Sequence, residues 1–169
     1  MSNPESSTVA NIHRAKAAAS FIGEALAFDL EAEDRRTFQA MFNRFPGMVH
    51  LGARIDLSDD YLVDAHIDEI KPHHLGGMGT HAVNGAVISA IFDCALGVAG
   101  VIQLGAWKNE GRYGTIDLSV QFLRPYFGEN LHIRAGVVKK AAKIAFARAE
   151  LIDSQGRCCS TATGIIAGS

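Results

Sequence analysis

The spacing of apolar positions changes period twice along this chain, and each change marks a new kind of element. From about 11 to 45 the alanine-rich start, then Phe21, Ile22, Leu26 and Leu30, recur near every 3.6 residues, which predicts helix. Asp34 is a candidate cap for a second segment carrying Phe38, Met41, Phe42 and Phe45, which ends before Pro46-Gly47. From Met48 the period becomes two. Val49, Leu51, Ala53 and Ile55 alternate with more polar or smaller residues, Ser58-Asp59-Asp60 supplies a turn, and Tyr61 to Ile67 completes a hairpin. A loop over 71–83, rich in glycine and histidine, follows.

Residues 84–104 then read as one long helix that is apolar on more than one face and therefore buried. Four strands are predicted after it, over about 115–123, 131–139, 144–152 and 159–167, with turn residues at Pro125 and Gly128, 140–142, and Ser154-Gln155-Gly156. An antiparallel sheet of about six strands needs a cover for its apolar face, and one buried helix supplies it. The chain thus divides into a helical extension, 1–46, and an α+β domain, 47–169. Consecutive βαβ alternation is absent, which argues against a doubly wound nucleotide-binding fold.

Composition narrows the function. Hydrophobic residues make up 48% of 169 residues, enough for a core without disulfides or a structural metal. A net charge of -2 argues against general nucleic-acid binding. Cys94, Cys158 and Cys159 have neither zinc spacing nor an even count, and read as reduced thiols in a cytoplasmic protein. The polar N-terminus has no signal-peptide pattern. The apolar stretch 82–106 carries Asp93 and several glycines, so no membrane span is expected.

Asp93 is the residue that breaks the pattern, a carboxylate about two turns into the most apolar helix. Burying it unpartnered costs several kcal/mol, so it is either satisfied by neighbouring backbone and hydroxyl groups or serves as a base or nucleophile in a cleft. Asn84-Gly85 at the helix start offers first-turn N–H groups and the positive dipole end, suited to a developing oxyanion. Gly85 and Asp93 are separated by about 12 Å at 1.5 Å per residue. They cannot readily share one carbonyl within a chain, which points to a site composed between subunits.

Asn84-Gly85-Ala86, then Asp93, then the run Thr115-Ile116-Asp117-Leu118-Ser119-Val120-Gln121-Phe122-Leu123-Arg124-Pro125, resemble the PaaI-like hotdog thioesterases. The late Asp153-x-x-Gly156 turn fits too, and the resemblance runs from about Met48 to the C-terminus. It implies a hotdog fold, with the sheet wrapped around the long helix, and hydrolysis of acyl-CoA without cofactor or metal. It implies that the Gly85 amide is the oxyanion donor, that Asp93 is the base or nucleophile, and that the Thr115 hydroxyl helps place the attacking water. It further implies a homodimer or dimer of dimers in which the Gly85 and Asp93 of one site belong to different subunits.

Two departures stand out. Asn84 replaces the family's usual histidine, which keeps hydrogen bonding but not proton transfer, and Ala86 replaces its second glycine. Met78 stands where Asn or Gln usually contacts the thioester carbonyl, and His81 is a candidate substitute donor.

His73, His74 and His81 lack the spaced partners of a metal set, and Gly76-Gly77-Met78-Gly79 is no phosphate loop but a flexible substrate-side loop. Lys139, Lys140 and Lys143 at a hairpin, with Arg124 expected near them, are candidate contacts for the phosphates of coenzyme A. Trp107 and Tyr113 are candidates for the acyl pocket or the core. The alternatives are a non-catalytic acyl-CoA-binding hotdog module and, from different chemistry, a hotdog dehydratase, whose His-Asp pair is not evident.

Overall fold

The computed structural model describes residues 20–76, 79–105, 107 and 112–168. Its elements run in chain order as α1 (Ala32–Phe42), α2 (Pro46–Leu51), β1 (Ala53–Asp56), β2 (Val63–Ile67), α3 (Gly85–Leu104), β3 (Tyr113–Phe122), β4 (Leu131–Ala141), β5 (Ile144–Ile152) and β6 (Cys158–Gly168). All six strands form one antiparallel sheet in the order β1-β2-β4-β5-β6-β3. Helix α3 packs against β2 through β6 and provides the centre of the core, including Ile91, Phe92, Ala95 and Leu96. This is the hotdog arrangement of a sheet around one long helix.

The ends of α3 follow from its sequence. Asn84 is the N-cap, its side-chain oxygen accepting the Ala86 N–H at 2.9 Å, and Gly105 closes the other end in the left-handed region at φ 66°. By length and composition α3 could cross a membrane, but here it is a core helix packed on the sheet.

The two sheet edges are treated differently. The β1 edge is sealed by side-chain amides from the helical extension. Asn43 accepts the Ile55 N–H at 2.7 Å and donates to its carbonyl at 3.0 Å, and Gln39 accepts the Leu57 N–H at 2.8 Å. At the other edge β3 is ten residues long and mostly exposed, with Ile116 at 63% and Phe122 at 53%. A long apolar edge strand is a template for pairing with another chain.

Before α1 the structure corrects the reading from periodicity. Part of the helix expected from 11 lies outside the described residues, but 20–31 contains no helix. The segment is a strap tied to the sheet by long-range hydrogen bonds as well as by a local turn at Ser20–Gly23. The Phe21 N–H and Ser20 hydroxyl both bond the buried Glu150 carboxylate, at 2.8 and 2.7 Å, and the Leu26 N–H bonds Val137 O at 2.7 Å. Gly23, at φ 71°, breaks any helical run.

Asp34 is not a cap either. It lies in the first turn of α1, whose N-cap is Glu31. Residues 48–51 are helical rather than strand, because Pro46 at the first turn and Gly52 at φ 59° are start and stop signals that outweigh the alternation. Val49 is accordingly 65% exposed while Met48 is buried. The later strands match the expected ones to within two residues at each end.

Candidate active site

The face of α3 that turns toward β3 carries Ser89, Ala90 and Asp93, and with Thr115, Ile116, Asp117 and Leu118 it lines a shallow, open cleft of about 480 Å³. A second, more enclosed cavity of about 250 Å³ continues past Asp93 and Thr115 toward α1. Asp93 and Thr115 border both. Two of the residues that the sequence proposes for the chemistry, Asp93 and Thr115, are therefore brought together by one helix and one strand.

Asp93 is half-buried, and its Oδ1 is fully covered without a hydrogen-bond partner among the described residues. A structural carboxylate would be satisfied by backbone or hydroxyl groups. An unpaired buried oxygen beside a cleft is instead what a carboxylate reserved for a ligand looks like. Its neighbour Cys94 is pushed up to about 11 by burial and then by the Asp93 charge, so it stays a thiol and is a poor nucleophile. All three cysteines are free.

The strand opposite has a feature that the sequence reading missed. The β3–β6 register slips between Thr115 and Asp117, which makes Ile116 an extra residue in the strand. Bulges often re-aim side chains beside active sites, and this one falls where β3 passes Asp93. Asp117, quoted above only as part of a motif, also lines the open cleft. Nothing in the alternation of 115–122 announces the bulge.

The helix start is built differently from the Asp93 region. Asn84 is exposed, and its oxygen is occupied by the Ala86 N–H. Gly85 is covered by the Phe122 ring, which a Cβ on residue 85 would approach to 3.1 Å. Within one chain Gly85 and Asp93 remain at separate places along α3. His81 is exposed in the preceding loop, and Met78 and Gly77 lie outside the described residues.

That loop has a built-in anchor. His74 is buried, its Nδ1 accepts the Lys71 N–H at 3.0 Å, and its carbonyl accepts the Asn84 N–H at 2.8 Å. His74 thus holds the entry to α3. Burial, then the nearby His73, lowers its pKa below the ordinary histidine value. The folded state therefore binds this proton less readily than the unfolded chain, and stability is lost as pH falls below about 6.5. His66 is shifted the same way by burial and His132. Replacing His74 by Asn, whose oxygen can take the Lys71 N–H, should flatten the fall in thermal midpoint between about pH 7 and 5 without removing the His66 share. An unchanged slope in a melting series would exclude His74 as its source.

The basic groups need a correction. Lys139, Lys140 and Lys143 are exposed around the β4–β5 hairpin, as expected. Arg124 is not near them. Its N–H bonds Cys159 O at the start of β6, whereas Lys143 O accepts from Gly168 at the end of that strand. The nine residue steps between span about 30 Å at a strand's rise. Arg124 shares the sheet end with Phe122 and Gly85, and the lysines share the end where β3 begins.

Trp107 packs edge-on against Phe38, with centroids 5.9 Å apart, and Tyr113 lines the enclosed cavity. A histidine–carboxylate cluster that the sequence did not suggest, Asp64, His66 and His132, sits on the sheet face away from α3. The two rings stack 4.4 Å apart at 7°, so their lone pairs lie in parallel planes and do not converge on one ion. Asp64 instead pairs with His132 at 2.5 Å and Arg134 at 3.4 Å.

With the site placed, the likenesses to known proteins take on meaning. Residues 80–160, which include α3, β3 and the start of β6, match the family model described as the thioesterase superfamily. A curated relative, the medium/long-chain acyl-CoA thioesterase YigI of Escherichia coli K12, is 28% identical over 106 residues, covering 55% of this chain and 66% of that protein. The chain thus spans just under two thirds of the length of the curated relatives it matches.

Among solved structures, a Haemophilus influenzae thioesterase superposes with a TM-score of 0.71 at 13% identity, over 85% of this chain and 95% of that one. The Escherichia coli PaaI protein of the phenylacetic acid degradation operon superposes at 0.62 with 18% identity, over 78% and 90%. A thioesterase family protein of Silicibacter pomeroyi reaches 0.60 at 25% identity, over 79% and 96%. The fold is that of the hotdog thioesterases, and the stretch 80–160 is similar to the thioesterase superfamily.

Proposed function

We propose that this protein hydrolyses an acyl-CoA thioester to the free acid and coenzyme A. The observation that carries the reading is the covered Asp93 Oδ1, without a hydrogen-bond partner among the described residues, at the junction of a cleft and an apolar cavity. The family match and the acyl-CoA thioesterase named among its relatives support the same chemistry.

In this reading the Gly85 amide polarises the thioester carbonyl. Asp93 either attacks the carbonyl carbon itself, giving an anhydride that water then opens, or removes a proton from the attacking water while Thr115 holds that water. In both cases the carbon–sulfur bond breaks and coenzyme A leaves as the thiolate. Asn84 fixes the first turn of α3, and His81 stands in for the carbonyl contact that Met78 cannot make. No metal or redox cofactor is called for.

The proposal includes a two-fold assembly in the cytoplasm. A two-fold axis through the middle of the bare β3 edge would lay it antiparallel to the partner's copy, so the Thr115 end of one meets the Phe122 end of the other. Asp93, behind Thr115, then faces the partner's Gly85, behind Phe122. The same operation carries the lysine hairpin toward the sheet end that holds the partner's Arg124, restoring between chains a basic patch that one chain lacks. The test is thiol release over a panel of acyl-CoA esters. Turnover of at least one ester supports the enzyme, while tight binding with no release would favour a non-catalytic acyl-CoA-binding module.

A further inference from the structure

Apart from Gly85 at its start, α3 contains two glycines, and only one has a packing reason. At Gly100 a Cβ would stand 2.6 Å from the Cβ of Ile166, so the close approach of helix and sheet demands glycine. Among the described residues, a Cβ at Gly97 would meet only Thr115 Oγ1, at 4.0 Å, which is ordinary contact. Its φ is not in the left-handed region either. Glycine is the poorest helix former after proline, yet the fold would accept alanine here without displacement.

What Gly97 faces gives the reason. Asp93, Gly97 and Val101 follow one another at four-residue spacing, so they form a single stripe along α3. All three line the cavity of about 250 Å³, as do Thr115 of β3 and Phe38 and Phe42 of α1. Any side chain at 97 would enter this space one turn beyond Asp93.

We infer that Gly97 is a specificity-determining residue, keeping open a channel for the acyl chain of the substrate, and that Phe38 and Phe42 set where that channel stops. The inference rests on the acyl-CoA reading above and names the acyl class within it, an apolar unsubstituted chain longer than acetyl. The cavity walls beyond Asp93 are carbon-rich, with Cys94 held as a neutral thiol. A carboxylate on the acyl chain would lose its water there beside Asp93, with no cation among the described lining residues. The helical extension thereby takes a part in substrate choice, because α1 lends Phe38 and Phe42 to the lining.

The experiment compares kcat/KM for acetyl-, decanoyl- and palmitoyl-CoA in wild type, Gly97→Leu, Gly97→Ala and Phe42→Ala. Gly97→Leu should lower the decanoyl-to-acetyl ratio by at least about tenfold, the scale on which a pocket resolves added methylenes. Gly97→Ala should lower it less while raising the melting point by about 2–4 °C, which keeps the test open if the leucine variant fails to fold. Phe42→Ala should raise the palmitoyl-to-decanoyl ratio. Ratios within about twofold of wild type in folded variants would overturn the inference.

A binding arm separates this failure from failure of the enzyme reading. The thioethers S-decyl-CoA and S-ethyl-CoA cannot be hydrolysed, and calorimetry reads them directly. Gly97→Leu should weaken S-decyl-CoA at least about tenfold more than S-ethyl-CoA even if no ester is turned over. Equal weakening of the two, or no binding of S-decyl-CoA by wild type, overturns the channel.

Discussion

Asp93→Asn should leave a folded protein that turns over acyl-CoA at least about a hundredfold more slowly than wild type. The substitution is nearly isosteric and changes no packing volume, so α3 and its contacts should persist. It replaces a carboxylate oxygen with a group that can neither attack a thioester nor accept the proton of water, beside an Oδ1 that has no hydrogen-bond partner among the described residues. The loss should fall on kcat and kcat/KM alike, since the interaction removed is one made in the transition state. Thiol release gives the rate, and near-ultraviolet circular dichroism checks the fold. Turnover close to wild type would remove Asp93 from the chemistry and return it to the role of a half-buried structural carboxylate. Asp117, across the same cleft, would then be the next carboxylate to test.

How much of this could be read from the sequence depends on whether the pattern and the fold answered to the same force. Helix α3 and strands β3 to β6 were legible because burial on a sheet imposes the very periods that apolar residues display. The strap before α1 was misread because its apolar residues are buried on a sheet that the local sequence cannot see. Phe21 and Leu26 give their N–H groups to Glu150 and Val137, more than a hundred residues away. Over 46–52 the alternation was accidental, and the helix signals at Pro46 and Gly52 carried the real information.

The site divides in the same manner. Asp93 was legible as a contradiction, a charge where the pattern wanted none, and the covered Oδ1 gives that contradiction physical content. The bulge at Ile116 was not, because one extra residue leaves the composition of a strand unchanged. Arg124 was placed beside the lysines because strand ends look alike in a sequence, whereas the order β5-β6-β3 puts them at opposite ends. Gly97 was passed over as one helix residue among many. Its meaning emerged only when the space its missing side chain would fill could be compared with that at Gly100.

The last expectation concerns that shared construction. Mixing two inactive variants, Asp93→Asn and Gly85→Pro, should restore activity. Proline suits the first position of a helix, and Asn84 at φ -61° and ψ 132° already has the extended conformation that a following proline requires. The Phe122 ring, which a Cβ at 85 would approach to 3.1 Å, is the exposed end of a side chain and has room to give. Each variant alone lacks either the carboxylate or the oxyanion N–H at both sites. In a mixed dimer one site joins the intact Gly85 of one chain to the intact Asp93 of the other, and the second site carries both lesions. Random pairing of equal amounts makes half of the dimers mixed, so the recovered rate should reach up to about a quarter of wild type. Native mass spectrometry establishes that chains have exchanged. If mixed dimers are present and thiol release stays at the level of the separate variants, the carboxylate and the amide do not meet across a two-fold axis. The open β3 edge would then have some other use.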